Sequence, residues 1–145
     1  MATFYTSDLH LGHQTLASTR GFNSATDHDE YIMRGLYADT SPGDEVWILG
    51  DLSIGSRAAT DYALALLADF SASGRSLHLI SGNHDMTSPI HRNGHSNQAD
   101  FFRAFDSVSH VARRKVGARW VWLSHFPFHT HPAEEPRRHH TESAN

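Results

Sequence analysis

Short apolar runs alternate with longer amphipathic segments in the first 80 residues of the chain. Residues 3–6, 46–49 and 77–80 are rich in aromatic and branched side chains, which is typical of buried strands. Between these runs, apolar residues recur at helical spacing after Ser24, where a capping box is expected, and over residues 57–73. The order strand, helix, strand, helix, strand predicts an α/β fold.

The C-terminal third of the chain has two more apolar runs, followed by a polar segment. Residues 108–112 and 119–123 predict two further strands, with a turn near Gly117 between them. The last residues have no apolar period and a composition typical of disorder. We therefore predict one domain over residues 1–132 and a polar, disordered tail over residues 133–145.

Composition and charge exclude several classes of protein and favour one kind of chemistry. The formal net charge of −4 implies no general attraction to nucleic acid, and the absence of cysteine excludes disulfides and thiolate zinc sites. The chain begins with neither a basic nor a long apolar signal segment, and no apolar run is long enough to span a bilayer, so a cytoplasmic protein without a membrane partner is expected. Histidine is abundant, with 13 residues against 12 Lys plus Arg, which suggests metal chemistry.

Side chains that bind metals follow several of the predicted strands at the point where each strand ends. In α/β folds, ligands gather beyond the carboxyl ends of the strands. Hard oxygen and nitrogen donors repeated there describe a site for two divalent metals, and such a pair hydrolyses phosphate esters. The candidate residues are Asp8, His10, Asp51, Asn83, His84 and His125.

The first two motifs have structural alternatives when each is taken alone. Asp8 and His10 are two residues apart, so in an extended segment both would point to the same side and could reach one ion. The alternative is an Asx-turn with an exposed histidine. Asp51 could bridge two ions with its two carboxylate oxygens, and the alternative is an ordinary Gly-Asp turn.

The third motif is the most specific. Asn83 offers a neutral amide oxygen to a hard metal, and His84 could act on the substrate as an acid. Asp85 is interpreted as a group that fixes the loop or caps a helix. A tight turn with a solvated histidine is the alternative for this motif, and a hydrogen-bonded structural histidine is the alternative for His125.

Taken in order, these motifs resemble those of the calcineurin-like metallophosphoesterases, whose blocks are D-x-H, G-D, G-N-H-[DE] and a later histidine after a strand. The matching segments run from the N-terminus to about Pro127. The opening segment around Asp8, together with Ser124 to Pro127, is similar to the small members found in bacteria and their phages. The resemblance implies a two-sheet α/β sandwich flanked by helices (αββα).

The resemblance also implies a ligand set and a mechanism. One metal would take Asp8, His10 and Asp51, and the second would share Asp51 and add Asn83 and His125. A hydroxide bridging the two metals would attack phosphorus in line, and His84 would assist the leaving group. The donor types suit Mn²⁺, Fe, Ni²⁺ or Zn²⁺.

One departure from the family pattern concerns its closing block, G-H-x-H, which is absent in its usual form. His129 and His131 form an H-x-H that follows His125 almost immediately. They could replace the missing ligands in a compact loop. The favoured interpretation is that they belong to a polar loop and that the sandwich is truncated at its C-terminus. The missing strand would leave a sheet edge open, and a homodimer could cover it.

Three functions follow from this reasoning. The leading one is a phosphoesterase that prefers a phosphodiester or a nucleotide-type small molecule, as family members often do. The alternative is a degenerate binding protein with weak or no catalysis, because the last ligand block is missing. The third is a nuclease, for which only Arg113 to Lys115 form a compact basic cluster. Trp120 and Trp122 alternate with Val121, so one of them could be exposed, but packing in the core is the default expectation for both.

Overall fold

A four-stranded parallel sheet forms the centre of the molecule. The computed structural model describes residues 1–128. The strands lie in the order β1 (Thr3–Thr6), β2 (Glu45–Ile48), β3 (Ser76–Ile80) and β4 (Ser107–Ser109). The first three match the predicted strands within one residue at either end. All four run in the same direction, so their carboxyl ends share one edge of the sheet.

Helices connect these strands and lie on one face of the parallel sheet. Ser24 and Ser56 begin the two long helices, and their hydroxyls accept hydrogen bonds from backbone amides three residues later. The six-residue helix α1 was not predicted, because it is too short to show a period. The helices are α1 (Gln14–Thr19), α2 (Ala25–Asp39), α3 (Arg57–Ala72) and α4 (Gln98–Phe101), with a 3₁₀ turn over Gly94–Asn97.

The period of two along the strands divides the core into two layers. Val46, Ile48, Leu77 and Leu79 face the helices, where they pack in one cluster with residues such as Phe70. On the opposite face, the cluster contains Trp47, Ile80 and Leu123, which join the parallel sheet to a second sheet.

The second sheet is an antiparallel hairpin of β5 (Val111–Val116) and β6 (Arg119–Ser124). Gly117 in its turn has a φ of +58°, which glycine adopts without a steric penalty. The strand predicted over 108–112 was wrong in extent, because this segment spans the end of β4 and the start of β5. The two-sheet α/β sandwich itself is confirmed.

The two tryptophans of the hairpin lie on its outer face. Trp120 and Trp122 are 60 % and 61 % exposed, so the expectation that they are core residues was wrong. The intervening Val121 and the following Leu123 occupy the inward positions instead. Arg113 lies against both indole rings.

Several predictions fall outside residues 1–128. The domain boundary at residue 132, the tail over 133–145 and the alternative ligands His129 and His131 all lie beyond the described residues. The homodimer also stays a prediction. None of the helices within the described part of the chain has the length and apolar character needed to cross a membrane.

Candidate metal centre

The loops that follow β1, β2 and β3 meet the end of β6 at one edge of the sandwich. One ligand atom each from Asp8, Asp51 and His125 lie within 4.8 Å of one another. Nε2 of His10 is 3.7 Å from Oδ1 of Asp8 and 3.8 Å from Oδ2 of Asp51. Nε2 of His125 is 3.7 Å from the same Asp51 oxygen and 3.1 Å from Oδ1 of Asn83. The five predicted ligand residues are therefore brought together around Asp51.

The backbone of three predicted ligands is strained. Asp8, His10 and Asp51 have φ angles of +56°, +49° and +58°, and within residues 1–128 they are the only non-glycine residues with positive φ. Such conformations cost about 1–3 kcal/mol each and persist where surrounding contacts hold them. Here the amide of Asp8 donates to the carbonyl of Gly50 (2.9 Å), and that of His10 donates to the carbonyl of Asp51 (3.0 Å). The convergence of Asp8 and His10 therefore comes from left-handed turns, not from the extended segment assumed in the sequence interpretation.

The hydrogen bonds of His125 leave one lone pair directed at oxygen atoms. Its Nδ1 lies 2.8 Å from the carbonyl of Leu49, which can only accept, so Nδ1 carries a proton. In the neutral ring, Nε2 is then an unprotonated acceptor that faces the amide oxygen of Asn83 and the carboxylate of Asp51. Three acceptors that face one another are stabilised by a cation. A backbone carbonyl that orients a histidine in this way is also common at metal sites.

Burial of His10 favours the neutral form of its imidazole. Burial lowers its pKa below the usual value, against the opposing effect of the carboxylates of Asp51 and Asp8. A neutral imidazole keeps the lone pair that a metal ligand requires. Its Nδ1 is buried and has no hydrogen-bond partner among the described residues.

These residues fit a divalent cation. Metal–donor bonds of about 2.1 Å place two donors of one ion roughly 3–4 Å apart. The donor separations of 3.1 to 3.8 Å fall in this range. Oxygen and imidazole donors without thiolates match the preferences of first-row divalent metals. Asp8, His10 and Asp51 could hold one ion, and Asp51, Asn83 and His125 a second.

His84 lies beside this donor set without joining it. Its ring centre is 5.6 Å from that of His10, and its amide donates to Oδ1 of Asp51 (2.9 Å). Its Nδ1 donates to the carbonyl of Ile54 (3.2 Å), which leaves Nε2 as the nitrogen that could exchange a proton with a substrate.

Asp85 organises the loops beneath the centre. Its carboxylate accepts hydrogen bonds from the amides of Asp51 (3.0 Å), Leu52 (3.0 Å) and Gly82 (2.8 Å). Burial raises its pKa, and these amide donors oppose that effect. The contacts agree with the loop-fixing role expected from the sequence.

Gly82 allows the loops after β2 and β3 to approach closely. A methyl group at this position would overlap the Asp51 carboxylate and lie 2.7 Å from the Asp51 amide nitrogen. We expect Gly82→Ala to weaken Mn²⁺ binding by about 10-fold or more, because Asp51 must move. Isothermal titration calorimetry measures the Mn²⁺ affinity of the variant and of the wild type.

The matched control for Gly82 is Gly35 in α2, where an added methyl group would meet nothing within 4 Å. Gly35→Ala should leave Mn²⁺ binding unchanged and stabilise the helix by up to about 1 kcal/mol. Equal Mn²⁺ affinities for the two variants and the wild type would contradict the claim that the close contact of Gly82 with Asp51 positions the Asp51 carboxylate.

Arg20 also contacts the centre, although no sequence motif marks it. It follows α1 as the C-cap residue, and its guanidinium donates to the carbonyl of Asp8 (2.9 Å). The sequence contains no signal that would have identified this contact, because it depends on how α1 folds back on the first loop.

Comparisons with known proteins agree with this geometry. The sequence matches the family model described as calcineurin-like phosphoesterase over residues 1–139. It is 36 % identical over 134 residues to the Gene 66 protein of Mycobacterium phage L5, covering 87 % of this chain and 63 % of that protein. It is also 36 % identical over 138 residues to the Gene 66 protein of Mycobacterium phage D29, covering 91 % of this chain and 67 % of that protein. The chain thus spans just under two thirds of the length of the L5 protein.

A solved structure shares the fold. The protein of unknown function AQ665 from Aquifex aeolicus superposes with a TM-score of 0.62 at 20 % sequence identity. The match covers 97 % of this chain and 67 % of that one. At this level of identity the likeness concerns the fold alone.

Proposed function

Because the chain belongs to the calcineurin-like phosphoesterase family, we propose that it hydrolyses phosphate esters with two divalent metal ions. The family supports a metal-dependent phosphoesterase in general. The proposal adds a dinuclear centre and a preference for a phosphodiester or a nucleotide-type small molecule. Mn²⁺, Fe, Ni²⁺ and Zn²⁺ are the candidate ions, because the donors are oxygen and imidazole.

The position of Asp51 is the observation that carries this proposal. Its Oδ2 atom lies 3.8 Å from Nε2 of His10 and 3.7 Å from Nε2 of His125. A carboxylate between two imidazole nitrogens, with Asp8 on one side and Asn83 on the other, is suited to bridging two cations. Each ion would have three donors from residues 1–128, which is the number of protein ligands found in open catalytic zinc sites.

Asp51 and His84 would have different roles in the proposed reaction. When bound, two divalent ions lower the pKa of water and neutralise negative charge in the transition state. Asp51 would hold the two cations close together. His84, whose Nδ1–H is committed to the carbonyl of Ile54, would act as a doubly protonated imidazolium, giving its Nε2 proton to the leaving oxygen and returning to the neutral ring.

The preference for diesters follows the habit of the family, and the accessible centre is compatible with it. The side chain of Asp8 is 46 % exposed, and those of His10 and His125 are 14 % and 13 % exposed. A phosphodiester carries two organic groups and only one negative charge, so it needs space on both sides of phosphorus. Partial exposure of the ligand residues provides access for such a substrate.

The test is hydrolysis of bis(p-nitrophenyl) phosphate and p-nitrophenyl phosphate by the purified chain with Mn²⁺. We expect faster hydrolysis of the diester, loss of activity with EDTA and recovery on adding Mn²⁺. Metal analysis should find two ions per chain. Hydrolysis that survives complete removal of metal would contradict the proposal.

We expect His84→Ala to lower kcat for the diester by about 10²–10³-fold while both ions stay bound, because His84 acts on the leaving group. Activity assays and metal analysis on one sample separate the two effects. His95 is the control, since it lies exposed in the 3₁₀ turn, away from these contacts. His95→Ala should behave like the wild type, and a loss of metal in His84→Ala would show that His84 is a ligand.

A degenerate binding protein is the alternative, and the donor count is the observation that favours it. Residues 1–128 offer three donors per ion, with one shared, and such a set holds metals less tightly than one completed by further ligands. Metal analysis distinguishes the two proposals, because one ion or none without turnover supports the binding protein. Two ions with turnover support the hydrolase.

A further inference from the structure

Three linked side chains, Arg20, His28 and Asp29, lie against the loop that carries Asp8 and His10, and none of the three belongs to the proposed ligand set. Arg20 is exposed at the end of α1, whereas His28 and Asp29, near the start of α2, are 0 % and 3 % exposed. A fully buried histidine beside a buried carboxylate needs defined partners.

The hydrogen bonds among the three residues have one consistent direction. Nη1 of Arg20 is 2.9 Å from Nε2 of His28, and Nδ1 of His28 is 2.8 Å from Oδ1 of Asp29. A guanidinium can only donate, so Nε2 accepts from Arg20 and the proton of the neutral ring lies on Nδ1. That proton is donated to Asp29. The ring of Phe22 packs edge-on against His28, with ring centres 5.2 Å apart.

Arg20 and Asp29, at the two ends of these linked hydrogen bonds, both bond to the backbone of the loop that carries Asp8 and His10. Arg20 donates from Nη2 to the carbonyl of Asp8 (2.9 Å) and, at a longer distance, from Nη1 to that of Leu9 (3.5 Å). At the other end, Oδ2 of Asp29 accepts from the amide of Gly12 (2.8 Å). Arg20 therefore bonds the start of the segment 8–12, and Asp29 bonds its end.

We infer that Arg20, His28 and Asp29 form a clamp that fixes the backbone of residues 8–12 and so positions Asp8 and His10. The inference rests on the proposed metal centre. The left-handed backbone of Asp8 and His10 is unfavourable by itself and persists only where outside contacts hold it. The clamp supplies such contacts to the carbonyl and amide groups of the same loop.

His28 and Asp29 act as positioning residues in this account, not as catalytic residues. The imidazole is fully buried, and both of its nitrogens already have partners. A substrate therefore has no access to His28. The clamp acts through Asp8 and His10.

The experiment compares Arg20→Ala and Arg20→Lys with Arg57→Ala. Arg20 is exposed, so its removal deletes no core side chain, although Nε2 of the buried His28 loses its donor. Arg57 is an exposed arginine that bonds Asp61 and Asp100 on the surface and serves as the control. Two measurements are made on each protein. They are hydrogen exchange of the amides of residues 8–12 without metal, and Mn²⁺ binding by calorimetry.

For Arg20→Ala we expect faster exchange confined to residues 8–12 and Mn²⁺ binding weakened by about 10–100-fold, as for other supports of metal ligands. Arg20→Lys, which can still donate to one carbonyl, should fall between Arg20→Ala and the wild type. Arg57→Ala should match the wild type in both measurements. Unchanged exchange in Arg20→Ala, or faster exchange spread across the whole chain, would overturn the clamp.

The exchange measurement needs no metal, so it tests the clamp separately from the proposed function. A wild-type chain that binds no Mn²⁺ would contradict the proposed function but leave the exchange result decisive for the clamp. A wild-type chain that binds Mn²⁺, with Arg20→Ala binding it equally well, would overturn the positioning role while leaving the proposed function intact.

Discussion

Asp51→Asn should reduce phosphodiester hydrolysis by about 10³-fold or more and remove at least one of the two proposed metal ions. The introduced amide has almost the same shape as the carboxylate. Its oxygen can still accept the hydrogen bond from the amide of His84 that Oδ1 of Asp51 accepts. The other half of the group changes from an anionic oxygen to an NH₂ donor, exactly where His10 and His125 converge.

The expected loss has an electrostatic origin. The substitution removes one negative charge at the point shared by the two proposed metal positions and directs N–H groups towards cations. Both ions therefore lose a ligand at once, which no other single substitution in the donor set achieves. The metal-free protein should unfold at nearly the wild-type temperature, because the hydrogen bond to the loop of His84 survives.

Metal analysis, the diester assay and thermal unfolding in EDTA check these expectations together. Asp61→Asn is the control, since Asp61 is an exposed carboxylate paired with Arg57 and Arg103 on the surface. It should retain wild-type activity and metal content. Full activity in Asp51→Asn would remove the basis for a shared ligand and for the proposed function.

Asp85→Ala should produce the largest loss of stability, about 3–5 kcal/mol, because it leaves three buried amides without an acceptor. Asp85 is 2 % exposed, so water cannot readily replace the carboxylate. For a domain of this size, the loss corresponds to a fall of roughly 10–15 °C in the unfolding temperature. Mn²⁺ binding should weaken as well, since two of the three amides belong to Asp51 and Gly82.

Thermal and urea unfolding measure this effect, and Asp106→Ala provides a graded control. Asp106 accepts one hydrogen bond, from the amide of Leu77 (3.0 Å), and is exposed to solvent. Its loss should cost about 1 kcal/mol or less, because water can take its place. Similar losses of unfolding free energy in Asp85→Ala and Asp106→Ala would show that the buried carboxylate of Asp85 is not a principal support of the fold.

Local pattern alone was sufficient to predict the central elements and which polar residues meet at one edge of the sheet. Residues such as Val46 and Ile48 form a strand because branched and aromatic side chains suit a buried sheet. Asp51 follows that strand, and parallel strands bring their carboxyl ends to one edge, so its neighbours in space could be anticipated from their order. The resemblance of the motifs to one family led to the same five residues as proposed ligands.

Short elements and the hairpin could not be predicted in the same way. The six-residue α1 has no period to detect. The segment 108–112 has the composition of one strand, but His110 separates β4 from β5. The outward position of Trp120 and Trp122 depends on which face of the hairpin meets Trp47, and a period of two leaves both choices open.

By itself, the sequence determined the α/β class, the order of the strands along the chain and the residue types that gather at their ends, since these depend on local periodicity and chain direction. Tertiary structure alone decided the left-handed turns at Asp8, His10 and Asp51, the three amides held by Asp85 and the contact of Arg20 with the first loop. Most of these contacts join segments that are not neighbours in sequence, and local propensity alone does not determine where a strained backbone occurs. Only the surrounding contacts, which exist once the chain has folded, can stabilise it.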